Sequence, residues 1–160
     1  MWREYADQSA RTRNPARQLK GANMSLQDER NRLVIEEFRS HGGKVGGPFE
    51  NMPLLLLHTT GAKSDQPRLN PVAYSTDGKR FVIVASKGGG PTNPDWYHNL
   101  LAHPLVEVEL GSGRFPARAS VAGEPERSRL YARHAAAMPA FAEYRRRTKR
   151  LIPVVLLERT

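Results

Sequence analysis

Residues 54 to 86, LLLLHTTGAKSDQPRLNPVAYSTDGKRFVIVAS, constrain the fold more than any other stretch of this chain. LLLLHTT (54 to 60) is a continuous apolar run of strand length, consistent with burial on both faces. LNPVAYST (69 to 76) and RFVIVAS (80 to 86) are β-rich runs separated by Asp77 and Gly78, and an Asp-Gly pair in that setting signals a hairpin. Pro71 donates no ladder hydrogen bond, so it belongs at an edge or a bulge.

The flanking segments extend this pattern. Ser25 opens a helix with Asp28 as a capping partner; Leu26, Leu33, Val34 and Phe38 supply a partial apolar face, and Gly42 and Gly43 end it. Asn93 as cap and Pro94 at the first helical position start a short helix, PDWYHNLLA. LVEVEL (105 to 110) alternates like a half-buried strand, and Gly111, Ser112 and Gly113 turn it into RFPARASVA (114 to 122). A helix over 124 to 137, a restart at Pro139 and a last buried strand, IPVVLLE (152 to 158), complete the chain. The order is too hairpin-rich for a doubly wound parallel sheet. It predicts an α+β fold, a small, mostly antiparallel closed barrel with helices packed outside. Residues 25 to 160 form one domain, and the polar, basic residues 1 to 24 form a flexible arm whose Met24 is itself a possible start.

Composition narrows the chemistry. Cysteine is absent, which excludes disulfides, thiolate metal sites and cysteine nucleophiles and fits a reducing cytosol. No run reaches the length of about 18 apolar residues that a spanning helix needs, and the N-terminus lacks a signal-peptide core, so a cytoplasmic protein is expected. Nucleophile elbow, P-loop and dinucleotide fingerprint are all missing, and the five histidines are scattered without ligand spacing, so no metal site is expected. The net charge of +9 favours an anionic partner. EYRRRTKR (143 to 150) reads either as a solvated helix face or as an anion-binding rim.

Two loops stand apart. TTGAKSDQPRLNP (59 to 71) presents Lys63, Ser64 and Arg68, and ASKGGG (85 to 90) presents Ser86, Lys87 and amides that glycines leave uncovered. Exposed amides beside fixed cations make an anion cradle of the kind a phosphate requires. Trp96, on the first turn of the short helix, either plugs the barrel end or covers a flat ligand.

The stretch from Leu54 to Leu110, with its T-G-x-K-S segment and downstream Arg, its A-S-K-G-G loop and its P-x-W-Y-x-N-L helix, resembles the deazaflavin-dependent nitroreductase family. The similarity runs from about residue 30 to the end. It implies a split β-barrel of the flavin-reductase and pyridoxamine-oxidase kind, using the 8-hydroxy-5-deazaflavin coenzyme F-420. By the same resemblance Lys63, Ser64 and Arg68 hold the coenzyme's phosphate and anionic tail. Pro71, Val72, Ser86, Lys87, Gly88 and Gly89 line the deazaflavin, and Trp96 and Asn99 complete that wall. Tyr144 faces the substrate, and Tyr144 or Ser86 donates to an acceptor such as a quinone or nitro compound. Two positions depart from the family: Asp65 stands where Gly is usual, and Phe141 where relatives often carry tyrosine. Three rivals are a flavin mononucleotide enzyme on a similar barrel, a nucleic-acid binder and a non-catalytic carrier of lipid or tetrapyrrole. Against nucleic acid, the basic residues are not interleaved with stacking aromatics. A monomer or homodimer is expected, with peripheral membrane contact through the arm disfavoured by Pro15 and the poor periodicity there.

Overall fold

The computed structural model describes residues 26–160. The arm, Met24 and the Ser25 cap lie outside the described residues. Six strands, β1 (Leu54–Thr60), β2 (Pro67–Asp77), β3 (Arg80–Val84), β4 (Leu105–Leu110), β5 (Gly113–Val121) and β6 (Val154–Arg159), close into a barrel in the order β1-β2-β3-β6-β5-β4. Every neighbouring pair is antiparallel. Closure leaves no free edge along the sheet.

The four leucines of β1 show why that run carries no polar residue. Successive side chains of a strand point to opposite faces. Leu55 and Leu57 join a cluster fed by all six strands, including Val72, Ile83, Val108, Phe115 and Leu157, which is the barrel interior. Leu54 and Leu56 belong instead to a second cluster outside the barrel, where helices α1 (Leu26–Ser40), α3 (Glu126–Ala137) and α4 (Ala140–Arg147) pack. Helix α2 (Asp95–Ala102) takes another place: Trp96 and Leu100 join the interior cluster, so it plugs one barrel end.

Pro71 sits in a closed sheet without breaking it. The Tyr74 amide donates to Pro53 O on the β1 side, so the period of two turns the Pro71 nitrogen to the other side. There the pairing with β3 begins only at Tyr74, and no ladder bond is lost.

The helices follow the sequence with two corrections. In α1 the buried positions are Arg30, Asn31, Val34 and Phe38, a stripe at helical spacing, while Leu33 is 38% exposed. The helix ends at Gly42 and Gly43, with φ of 63° and 96°, where the Gly43 amide donates to Phe38 O. At α2, Pro94 rather than Asn93 occupies the cap position and no side chain caps the helix; the Asn93 side chain is engaged elsewhere.

Beneath α3, His134 is fully buried, its Nδ1 2.7 Å from Ser75 Oγ and its ring edge-on to Phe141. Burial pushes its pKa down to about 4, so the ring is neutral.

Candidate active site

Strand register brings the two glycine-bearing loops to one end of the barrel. Thr60 at the exit of β1 pairs with Pro67 at the entry of β2. Tyr74 pairs with Ile83, so β3 leaves beside the entry of β2, and Val84 faces Val154 at the entry of β6. Residues 61–66, 85–94 and 148–153 therefore gather at the same end, which α2 closes.

Asn99 fixes the first loop. From α2 its Nδ2 donates to Thr59 Oγ1 at 3.2 Å and its Oδ1 accepts from the Ala62 amide at 2.9 Å. Within the loop, the Asp65 amide bonds to Gly61 O and the Gly61 amide to Gln66 O. Ser64 Oγ accepts from the Gln66 amide at 3.2 Å and from Arg68 Nη2 at 3.4 Å. Asp65 has φ of 57°, a left-handed conformation that accounts for Gly being usual there in the resembling family. Its carboxylate lies 3.3 Å from His103 Nε2, and among the described residues it forms no ion pair with Arg68.

The second loop is a single turn with three successive left-handed residues, Lys87, Gly88 and Gly89, at φ of 49°, 62° and 80°. Its internal bonds run from the Gly89 amide to Ser86 O and from the Gly90 amide to Lys87 O. A Cβ on Gly89 would lie 2.8 Å from Tyr144 O, so that side is closed by α4. A Cβ on Gly88 would meet nothing within 4 Å, so there is room on that side although Gly88 is buried.

Cations gather at this end. Lys63, Arg68 and Lys87 are exposed, and among the described residues no carboxylate pairs with any of them. Lys87 Nζ donates to Thr92 Oγ1 at 3.3 Å. Exposed cations without acidic partners, beside a turn with room at Gly88, fit a flat ligand carrying an anionic tail.

The remaining expected residues divide by depth. Pro71, Val72 and Ser86 are buried, Val72 within the barrel interior. Trp96 is 8% exposed and clusters with the barrel interior, so its indole plugs the barrel. Tyr144 is 3% exposed in the outer cluster, 5.2 Å from the Phe141 ring centroid and flanked by the Arg147 guanidinium. In this arrangement its ring faces the core rather than open space.

The run EYRRRTKR splits between the two readings it allowed. Arg147, Lys149 and Arg150 all border an open cleft of about 640 Å³ beside residues 89–91, and Arg147 also lies 3.8 Å from Glu143. Arg150 turns inward and donates to backbone carbonyls of the second loop. Nothing in the sequence distinguishes Arg150 from its neighbours, because its partners, three of them main-chain carbonyls, lie some sixty residues away.

Comparison with known proteins places the chain in a family. A family model described as F420H(2)-dependent quinone reductase matches residues 30–159. The F420H(2)-dependent quinone reductase of Mycobacterium tuberculosis is 43% identical over 132 residues, covering 80% of this chain and 89% of the relative. Among solved structures, an F420-H2 dependent reductase superposes with a TM-score of 0.61 at 39% identity, covering 66% of this chain and 94% of that one. A structure described as a domain-swapped dimer superposes at 0.63 with 34% identity, covering 84% of this chain and all of that one. With its six-stranded split barrel and its two loops around a partnerless cationic end, the chain belongs to the F420H(2)-dependent quinone reductase family.

Proposed function

We propose that this protein passes a hydride from reduced coenzyme F-420 to a quinone or a similarly conjugated acceptor at the barrel end closed by α2. The observation that carries the reading is the set of three exposed cations, Lys63, Arg68 and Lys87, left without carboxylate partners around two glycine-bearing loops.

Lys63, Ser64 and Arg68 hold the coenzyme's phosphate and anionic tail, Lys63 as a point charge and Arg68 as a planar fork. Pro71, Val72, Lys87, Gly88 and Gly89 line its ring, using the room at Gly88. Asn99 keeps the first loop in place through Thr59 and Ala62, and Trp96 stiffens the wall from inside the barrel. Bound there, the reduced coenzyme supplies a hydride. An acceptor that gains a hydride gains negative charge, and a donor fixed beside it lowers the barrier. Ser86, which directly precedes the turn of Lys87, Gly88 and Gly89, is placed ahead of Tyr144 for that task, since Tyr144 belongs to the outer hydrophobic cluster; both are buried. The same proposal puts the reaction in the cytoplasm, in a monomer or homodimer, which the mass in solution decides.

Quenching of Trp96 fluorescence by F-420, in a Trp2→Phe variant, measures binding directly. Saturable bleaching of a soluble quinone by enzyme and reduced coenzyme measures turnover. Binding weaker than micromolar rejects the proposal. Ser86→Ala is expected to lower kcat about a hundredfold or more, the order seen for one lost donor of this type. A larger loss in Tyr144→Phe than in Ser86→Ala reverses the donor assignment.

A further inference from the structure

We infer that Arg150 is a positioning residue that holds the second loop in the shape that receives the coenzyme. This rests on the site assignment proposed above. Arg150 Nε donates to Gly90 O at 3.0 Å, and Nη1 donates to Asn93 Oδ1 at 2.5 Å. Nη2 is shared by Ala85 O at 3.1 Å and Ser86 O at 2.7 Å. All four acceptors lie within residues 85–93, and three are main-chain carbonyls.

Peptide geometry gives this clamp its consequence. In a planar trans peptide the N–H points opposite to the carbonyl of the same unit. Drawing the carbonyls of Ala85 and Ser86 onto one guanidinium nitrogen turns the N–H groups of Ser86 and Lys87 to the opposite side of the loop. The turn's own bonds use the amides of Gly89 and Gly90, so they leave that pair free for a ligand. Lys87 is also held at φ of 49°, a conformation that a side chain resists and that persists only when surrounding contacts dictate it. The clamp supplies those contacts.

Arg150 is suited to this and its neighbours in the run are not. Among the described residues it pairs with no carboxylate, and burial lowers its pKa, so its charge is held by neutral carbonyls of the loop. Arg146, by contrast, is 72% exposed and paired with Glu143. A lysine at position 150 keeps the charge and loses the fork that reaches four acceptors at once.

The test uses the full chain with Arg150→Lys, with Asn93→Ala as a second variant that removes one acceptor and spares the arginine, and with Arg146→Gln as the charge control. Amide hydrogen exchange is read without coenzyme, F-420 affinity by fluorescence, and the Michaelis constants for coenzyme and quinone separately. The inference expects exchange at Gly89 and Gly90 to quicken at least about tenfold in Arg150→Lys, with the barrel strands unchanged. It also expects coenzyme Kd and KM to rise about tenfold or more, as misplacement of a binding group does. The quinone KM stays within about twofold, as a loop-specific effect requires. Asn93→Ala moves the same readouts less, carries the test if Arg150→Lys does not fold, and Arg146→Gln moves none. Exchange that quickens equally across the barrel strands shows a general stabilising role and overturns the inference, as does an unchanged Kd in Arg150→Lys. If the wild type itself fails to bind F-420, the site assignment falls instead, and localised exchange at residues 85–93 still decides the clamp.

Discussion

At the barrel end where β2 turns into β3, Asp77 gathers Arg80 at 2.5 Å, Arg133 at 2.9 Å and Arg129 at 3.6 Å, and Glu126 reaches Arg80 and Arg129 from α3. At the opposite end Lys63, Arg68 and Lys87 stand around two glycine-bearing loops with no carboxylate partner among the described residues. Both ends are hairpins or tight turns carrying exposed cations. They differ in whether the charge is neutralised within the chain. At the first, the arginines hold the Asp77 carboxyl below the usual carboxylate range, with the bond to Arg80 the leading cause, and the charges fasten α3 to the sheet. At the second, no carboxylate of the described residues takes the charge, and the proposed coenzyme site makes use of it. Lys79 in the first turn is exposed and has no carboxylate partner among the described residues either, so the contrast lies in the clustering of three such cations about two loops.

The largest test of this contrast reverses the charge at the open end. Arg68→Glu is expected to weaken F-420 binding about a hundredfold or more, the scale for leaving an anion opposite a like charge, while thermal stability hardly changes. Titration at two ionic strengths checks it, and an affinity within threefold of wild type breaks the contrast.

The fastened end responds to acid. The folded state keeps His134 neutral down to about pH 4, whereas the unfolded chain takes up that proton near pH 6.5. Stability is therefore complete above pH 6.5 and falls as the pH drops toward 4, by roughly 3 kcal/mol in all. Urea unfolding at pH 7.5 and pH 4.5 measures the slope, and His134→Gln should flatten most of it.

Glycines sharpen the comparison further. Gly78, in the turn of the fastened end, has φ of 62° and open space around a would-be Cβ. Gly89 has φ of 80° and would meet Tyr144 O at 2.8 Å. Gly78→Ala is expected to cost about 1 kcal/mol from conformation alone, and Gly89→Ala about twice that, with a loss of coenzyme binding. Equal losses in unfolding experiments would show that α4 yields to the added methyl.

The smallest effect belongs to Asp77→Asn. It is expected to lower the melting temperature measurably while leaving F-420 affinity within experimental error. A matching loss of affinity would mean that the two ends are coupled through the barrel.

Much of this was legible before any coordinates. β1 has the bounds read from LLLLHTT and β4 those read from LVEVEL, and the hairpin forms at the Asp-Gly pair, although Asp77 ends β2 opposite Arg80 and the turn itself is Gly78 and Lys79. These features depend on residues adjacent in sequence. Errors arose where a local rule met a distant partner. Asn93 has the composition of a helix cap, yet its side-chain oxygen serves Arg150, fifty-seven positions away. Leu33 fits an apolar face by type, but α1 is rotated so that Asn31 and Val34 lie inward. For Trp96 the two readings weighed equally until the interior cluster placed the indole inside the barrel.

The sequence by itself determined the strands, the turns and the composition of the two loops, because hydrophobic period and turn chemistry act over a few residues. It also carried the motifs by which the family is known. Only the tertiary structure decided that β6 enters between β3 and β5, that both loops share one end, and that Arg150, alone in its basic run, turns inward to clamp a loop. The physical reason is that a guanidinium bonded to backbone carbonyls leaves no trace in residue identity, since every residue carries a carbonyl and only the closed barrel selects which ones it meets.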